Sequence, residues 1–466
     1  MLQEQQGLAI KPAEAAIVTI ILMGLVGYMI IGLEVVPQIA ILSGIALLLA
    51  YGTVKKVSFK ELETAMADGA KTGIAAVMIF FFIGMLISSW MAGGTIPTFI
   101  YLATDLVSGK FYYAIVFVVT SIIGMSIGSS LTTAATLGVA FVGASTALGI
   151  SPAITAGAVV SGAFFGDKMS PLSDTTNLAA SVAGADLFDH IKNMTWTTIP
   201  AFILSFIVYM VISPANTNES ISQMALIKTE LLELNLVHWY ALIPFFVLAI
   251  LAAKKVPAIA TLSAGTISAL VISFFINDSF TGKAMMALLY SGYKSGSAIE
   301  EVDSMLSRGG IESMMFSISV ILLALSMGGL LFKLGIIPAL LSLVQKFLAR
   351  VSMLISATAG MAIAVNFMLG EQYLSILLPG NAFKGHFKKA GLEPKHLSRV
   401  LEDAGTVVNP LVPWSVCGVF IASVLGVPVT DYFLFAFFCL FSPLITVFFG
   451  FTGISLPKQA KLQTSK

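Results

Sequence analysis

Apolar residues in this chain run in long blocks instead of recurring at the spacing of a surface helix. Residues 15–33 (AAIVTIILMGLVGYMIIGL) and 72–87 (TGIAAVMIFFFIGMLI) are typical. About 20 such residues in a helix cross roughly 30 Å of hydrocarbon. The pattern predicts an all-α polytopic membrane protein in two similar halves. The first has spans at 15–33, 36–54 and 72–92, a hairpin at 111–148, a broken helix at 152–183 and a closing helix at 196–213. The second has spans at 238–253, 256–276 and 311–332, a hairpin at 351–383, a broken helix at 398–427 and a closing helix at 431–450.

One stretch breaks the apolar pattern sharply. SGAFFGDKMSPLSDTTNLAAS, residues 161–181, brings Asp167, Lys168 and Asp174 together with Pro171 and a row of hydroxyls. Its flanks are apolar and rich in small residues, so the charges are expected at membrane depth, not in an external loop. Each charge at the centre of a spanning helix costs at least about 2.5–3.5 kcal/mol on insertion scales. Three in eight residues therefore require pairing or hydration, and Lys168 is expected to neutralise one of its neighbouring carboxylates. Pro171 cannot donate an N–H and disfavours helical geometry at Ser170. The helix should open there and leave carbonyls free, as at the midplane ion sites of secondary transporters. A hard monovalent cation such as Na+ takes oxygen ligands. Asp167, Ser170, Ser173, Asp174, Thr175 and Thr176 supply them, with Asp167, Ser173 and Asp174 as the expected Na+ ligands.

The chain resembles itself at an offset of about 220–242 residues. VPQIAILSGI at 36–45 answers VPAIATLSAG at 256–265, and GTIP at 94–97 answers GIIP at 335–338. GMSIGSS at 124–130 parallels GMAIAVN at 360–366, and GISPAITAG at 149–157 lies opposite GLEPKHLSR at 391–399. The same register sets DKMSPLS at 167–173 on NPLVPWS at 409–415, so Asp167 corresponds to the uncharged Asn409. Only the first break is thus expected to carry protonatable charge. Basic residues favour cytoplasmic loops. Residues 384–399 carry Lys384, Lys388, Lys389, Lys395 and Arg399, whereas their counterpart near 142–157 has no basic residue. Lys55, Lys56 and Lys60 follow the second helix. Equivalent loops then lie on opposite sides, which is inverted topology. The expected domains are a first repeat at 1–213, an external linker at 214–235, a second repeat at 236–457 and a cytoplasmic tail at 458–466, with both termini cytoplasmic.

Composition narrows the function. The 466 residues are 57% hydrophobic and 11% charged, with net charge +1 and mean hydropathy +0.95. A soluble domain carries about 25% charged residues. There is no basic stripe or aromatic motif for nucleic acid, and no HExxH, GxSxG or paired catalytic aspartates for an enzyme. No cofactor is expected. Cys417 and Cys439 read as packing residues, Trp196 and Trp239 as interface anchors. His190, His386 and His396 read as solvated residues of polar loops. GSSLTTAAT at 128–136 marks the tip of the first hairpin and offers Ser129, Ser130, Thr132 and Thr133 to a substrate. LGEQYLS at 369–375 marks the second, with Glu371 as a further ion or proton ligand and Gln372 as a substrate contact. Asn366 and Asn409 could orient ligands or cap the broken ends. Two broken helices at a pseudo-symmetric centre suit alternating access better than a continuous pore.

The string GDKMSPLSDTTNLA, residues 166–179, resembles the signature of NhaC-type Na+/H+ antiporters, and the similarity extends over most of the chain. The resemblance implies an ion-transporter superfamily with inverted repeats, re-entrant hairpins and unwound helices. It also implies elevator-type movement against a dimerising scaffold, hence a homodimer in membrane lipid. Its partners would be Na+ and H+ at the cell membrane. The family includes a branch that exchanges malate for lactate with Na+ and H+, which makes coupled transport of small carboxylates the alternative function.

Overall fold

The computed structural model describes residues 8–456 except 108–110, 148, 215–227, 255, 277–280, 298, 300, 301, 304, 305 and 345–349. The expected tail at 458–466 and most of the linker at 214–235 therefore lie outside the described residues, which are helical throughout and contain no strand. Seven of their helices are long and apolar enough to cross a membrane, or up to nine if each bent pair is one span. They include Pro12–Ile30, Pro37–Val54, Ile74–Ala92, Leu187–Ile212, Ala258–Phe275, Ile311–Lys333 and Val351–Leu369.

The local chemistry that shapes the centre occurs twice. Tyr112–Ile127 ends at Gly128, whose positive φ is a left-handed cap, and the chain turns back through Ser130–Thr133, a π turn at Ala134–Gly138 and Val139–Ala147. Val351–Leu369 ends the same way at Gly370 and turns back as Gln372–Lys389. Ser129 and Glu371 cap the returning helices through their side chains. Next comes a helix with proline in its first turn, Pro152–Met169 or Pro394–Leu401, then a break. Each chain resumes as a helix capped by serine: Asp174–Ala183 on Ser173, and Val416–Leu425 on Ser415. Both end at a left-handed glycine, Gly184 or Gly426. Serine supplies an acceptor for the orphan N–H groups, and glycine tolerates the left-handed cap.

The breaks close on the hairpin tips. A Cβ added at Gly128 would strike Leu172 and Ser170, and one at Gly370 would press on Trp414 and Ser415. The second broken helix bends by 46° between Pro394–Leu411 and Val416–Leu425.

Several elements depart from expectation. The basic turn after the second helix is the amphipathic helix Phe59–Thr72, capped by Ser58. It crosses Ile311–Lys333 closely, with Gly69 on Gly329. The strings GTIP and GIIP open two further helices, Thr95–Val107 and Ile336–Val344. Residues 384–399 are not one polar loop: Gln372–Lys389 runs into them and Pro394–Leu401 begins within them, burying His396. The closing helix of the first half starts at Leu187, capped by Asp186, so it includes His190. Phe59–Thr72 looked like a loop because it buries only one face, through Leu62, Ala65 and Gly69.

Candidate functional site

At the first break, Pro152–Met169 ends on Ser170 and the chain resumes as a helix at Asp174. Asp167 lies in the last turn before the break and is buried. One oxygen, Oδ2, accepts from the Ser130 hydroxyl at 2.6 Å and the Ser130 amide at 3.2 Å, both from the tip of the first hairpin. The other, Oδ1, is buried and has no hydrogen-bond partner. Ser173 Oγ lies 3.0 Å from Thr175 Oγ1 and accepts from the Thr176 amide. Thr176 donates to the Lys168 carbonyl at 3.1 Å, which occupies one of the carbonyls that the break would leave free. Ser170 Oγ accepts from the Leu172 amide. The break therefore gathers Asp167, Ser130, Ser170, Ser173, Thr175 and Thr176 into one buried oxygen-rich region.

Asp174 is different. It is exposed, accepts from the Thr175 amide through Oδ1 and from the Tyr373 hydroxyl through Oδ2. That bond ties the first break to the second hairpin. A cavity of about 470 Å³ opens beside it, lined by Ser129, Thr132, Pro171, Asp174 and Asn177 together with Thr261 and Leu262. Ser129 and Thr132 are bonded to each other at 3.0 Å, and Thr133 donates to the Ser129 carbonyl.

Lys168 does not pair with either neighbouring aspartate. Its ammonium reaches the second half, where it is ion-paired with Asp403, both side chains being fully buried. Ser442 bridges the two, 3.1 Å from Lys168 and 3.0 Å from Asp403, and Thr446 donates to the other Asp403 oxygen at 2.5 Å. The Phe438 ring stands 5.7 Å from the ammonium. Such a pair tolerates burial because hydroxyls satisfy the lone pairs that the lysine leaves.

The second break is neutral at its centre. Asn409 donates to Asn366 at 2.8 Å and accepts from the Cys417 amide at 3.0 Å. Asn366 donates to the Gly405 carbonyl at 2.6 Å, and Cys417 Sγ lies 3.4 Å from Gln372 Oε1. Asn366, Asn409 and Gln372 thus hold the hairpin to the break. Glu371 is buried as a helix cap, accepting from the Leu374 amide at 2.8 Å.

The expectation that only the first break carries protonatable charge fails about two turns upstream of Asn409. Glu402 and Asp403 open a π turn, Glu402–Thr406, inside the second broken helix, and both are fully buried. π turns recur at functional positions because one residue too many loosens the hydrogen-bond ladder. His190 is buried as well, with neither ring nitrogen partnered. A sequence signal for the acids did exist: the pair in RVLEDAGTVV has no basic neighbour after Arg399 and runs straight into apolar residues. His190 gave none, since DHIK reads as a solvated turn.

Several spanning helices, two breaks packed on two hairpin tips, and buried charges paired between distant segments define a membrane transporter of the broken-helix class. The profile of the Na+/H+ antiporter family matches residues 162–454, which includes both breaks. The chain is 39% identical to the Na+/H+ antiporter NhaC of Alkalihalophilus pseudofirmus, over 96% of this chain and 98% of that one. It is 39% identical to the Na+/H+ antiporter NhaC of Bacillus subtilis, over 90% and 93%. A more distant relative, 31% identical over 85% of both chains, is the malate-2H+/Na+-lactate antiporter of Bacillus subtilis. The chain belongs to the Na+/H+ antiporter family.

Proposed function

We propose that this protein is a secondary active antiporter that exchanges Na+ for protons across the cell membrane. The observation that carries the reading is Asp167: a buried carboxylate at a helix break, with one oxygen held by Ser130 and the other unpartnered. An ionised carboxylate in a protein interior is costly unless compensated. A proton and a Na+ ion are alternative ways to compensate it, and because each excludes the other, their movements are coupled. The hydroxyls of Ser130 and Ser173 add neutral oxygens of the kind that a hard cation prefers. Asp174, at the mouth of the neighbouring cavity, would attract the cation.

We read the repeated series of caps and breaks as two inverted-topology repeats, 1–213 and 236–457, joined by an external linker at 214–235, with the 458–466 tail and both termini cytoplasmic. The lysine-rich 384–399 segment against a counterpart without basic residues supports this. A homodimeric scaffold and an elevator-type motion follow from the family resemblance. Exchange of small organic anions together with Na+ and H+ is the second reading. The cavity of about 470 Å³ beside Ser129 and Thr132 supports it, since a small carboxylate would fit there.

The test is the pH change inside proteoliposomes when Na+ is added, with and without malate or lactate. Wild type should move protons on Na+ alone. Asp167→Asn keeps the shape and one oxygen ligand but loses the exchangeable proton, and should move none while remaining folded. Asp174→Asn should weaken Na+ affinity and keep exchange. Wild-type rates in both mutants would sink the assignment, and proton movement only with an added anion would favour the second reading.

A further inference from the structure

Arg308 is a cation whose surroundings call for more than the bond it makes. It is half-buried and lines a cavity of about 500 Å³, separate from the one beside Asp174. The end of Ile74–Ala92, the loop after Gly282–Ser291, the start of Ile311–Lys333 and the end of Val416–Leu425 meet there. The loop is firmly seated. Gly310 donates to the Gly84 carbonyl at 2.7 Å, and the Tyr293 amide to the Arg308 carbonyl at 3.1 Å. Gly309 approaches Ser88 so closely that an added Cβ would stand 2.4 Å from the serine nitrogen. The backbone of Arg308 is thus fixed on both sides.

The Arg308 guanidinium lies against Gly426, the left-handed cap of Val416–Leu425, and its Nη1 donates to the Leu425 carbonyl at 3.1 Å. A helix C-terminus attracts a cation, but one N–H serves that purpose and a guanidinium offers several more. Among the described residues no carboxylate is ion-paired with Arg308. Acids in the neighbouring loop are engaged: Asp303 accepts from Ser295 and Ser307, and Glu230 from Ser297. Glu312 lines the cavity, but it is exposed and sits in the first turn of Ile311–Lys333. The helix N-terminus partly offsets its charge there. Lys294 brings a second cation to the same wall, and Ser291 and Tyr293 add hydroxyls. The described lining therefore carries two cations against one acid, with donors to spare.

We propose that this cavity binds a small carboxylate, gripped by the Arg308 guanidinium and drawn in by the Lys294 ammonium. Guanidinium and carboxylate match in geometry, since two parallel N–H···O bonds form at once. A spherical anion such as chloride cannot use that fork. The volume suits a small ligand, and the hydroxyls beside the cations can bind a second polar end. The site lies at the far end of Val416–Leu425, ten residues or about 15 Å from the second break. It stands whether or not Asp167 exchanges Na+ for protons.

Arginine modification reads this site directly, because Arg308, Arg350 and Arg399 are the arginines of the chain. Arg350 is exposed and Arg399 fully buried, so they serve as reactive and inert controls. Purified full-length protein is treated with phenylglyoxal with and without succinate, at fixed Na+ and ionic strength, and each arginine is followed by mass spectrometry. Succinate should slow modification of Arg308, about tenfold at about ten times its dissociation constant, and leave Arg350 unchanged. Lys294→Glu alters an exposed side chain and should weaken that protection without changing the melting temperature. Asp167→Asn should show the same protection as wild type. No protection, equal protection of Arg350, equal protection by chloride, or full protection in Lys294→Glu would each overturn the proposal. Protection lost in Asp167→Asn would do so too, since the anion would then sit in the cavity beside Asp174. An Arg308 as inert as Arg399 without succinate would also overturn it, because the cavity would be closed to a ligand.

Discussion

At the scale of single residues, the ion pair between Lys168 and Asp403 dominates the energetics. Removing one partner of a buried pair costs about 3–5 kcal/mol, because the survivor keeps its charge without compensation, whereas replacing both by apolar groups is often close to neutral. Lys168→Met is therefore expected to lower the melting temperature in detergent markedly, and Lys168→Met with Asp403→Leu to recover much of it. A double mutant as unstable as the single would show that Ser442 and Thr446, not the pair, hold this region. That the break carries buried charge was legible in residues 166–179, and so was the Asp167 position. The partner of Lys168 was not. Charge pairing inside a fold depends on which helices touch, and the nearest aspartates in sequence point elsewhere, Asp167 to Ser130 and Asp174 to Tyr373.

At the scale of elements, the hairpin tips decide whether the breaks can form. Gly128 has φ of 72° and Gly370 φ of 67°, and both tips abut a break. A left-handed residue with a side chain costs about 1–2 kcal/mol, and at Gly128 the new methyl would also collide with Leu172. Gly391 is the internal control: its φ is 71°, but nothing lies within 4 Å of an added Cβ. Gly128→Ala should lower thermal stability more than Gly391→Ala and should weaken Na+ affinity as well, since Ser130 follows the tip directly. Equal losses in stability and no change in affinity would mean that the tip does not position the site. A second element gives a pH signature. Outside the spanning helices, hydrogen bonds from Ser295 and Ser307 hold the Asp303 carboxyl below its usual range. A lowered folded-state value adds stability above the unfolded value, and this is lost as pH falls through the folded one. Hydrogen exchange at Ser295 and Ser307, corrected for intrinsic rates, should accelerate in acid, and Asp303→Asn should show that acceleration already at neutral pH. Long spans, hairpins and breaks were legible because apolar length and proline speak locally. Helices Phe59–Thr72 and Thr95–Val107 were not, because an amphipathic segment beside a membrane span looks like a loop until its partner helix is known.

At the scale of the whole molecule, the inverted arrangement proposed above predicts which surfaces share a side of the membrane. Asn235 and Lys388 are both exposed. Single cysteines at these positions, in a background lacking Cys417 and Cys439, should label from opposite sides, position 235 from outside and position 388 from within. Labelling of both from outside would remove the inverted-repeat reading. What the matched strings made legible is that VPQIAILSGI and VPAIATLSAG each lead into a long apolar helix, Pro37–Val54 and Ala258–Ile276. The buried acids Glu402 and Asp403 were not legible from that register, which sets them opposite Val160 and Ser161.

The bond between Lys168 and Asp403 also sets a clock on biosynthesis. The partners are 235 residues apart, and ribosomes add roughly 5–20 residues per second, so the lysine waits roughly 12 to 47 seconds for its acid. During that interval the newly inserted first half holds an ammonium at membrane depth with no mate. It must snorkel towards headgroups, lose its proton or be shielded by the insertion machinery. Nascent chains halted before residue 403 should accordingly be degraded faster than chains halted after the closing helix, and Lys168→Met should lengthen the life of the shorter ones. The contact that steadies the finished transporter is thus the hazard of its unfinished form.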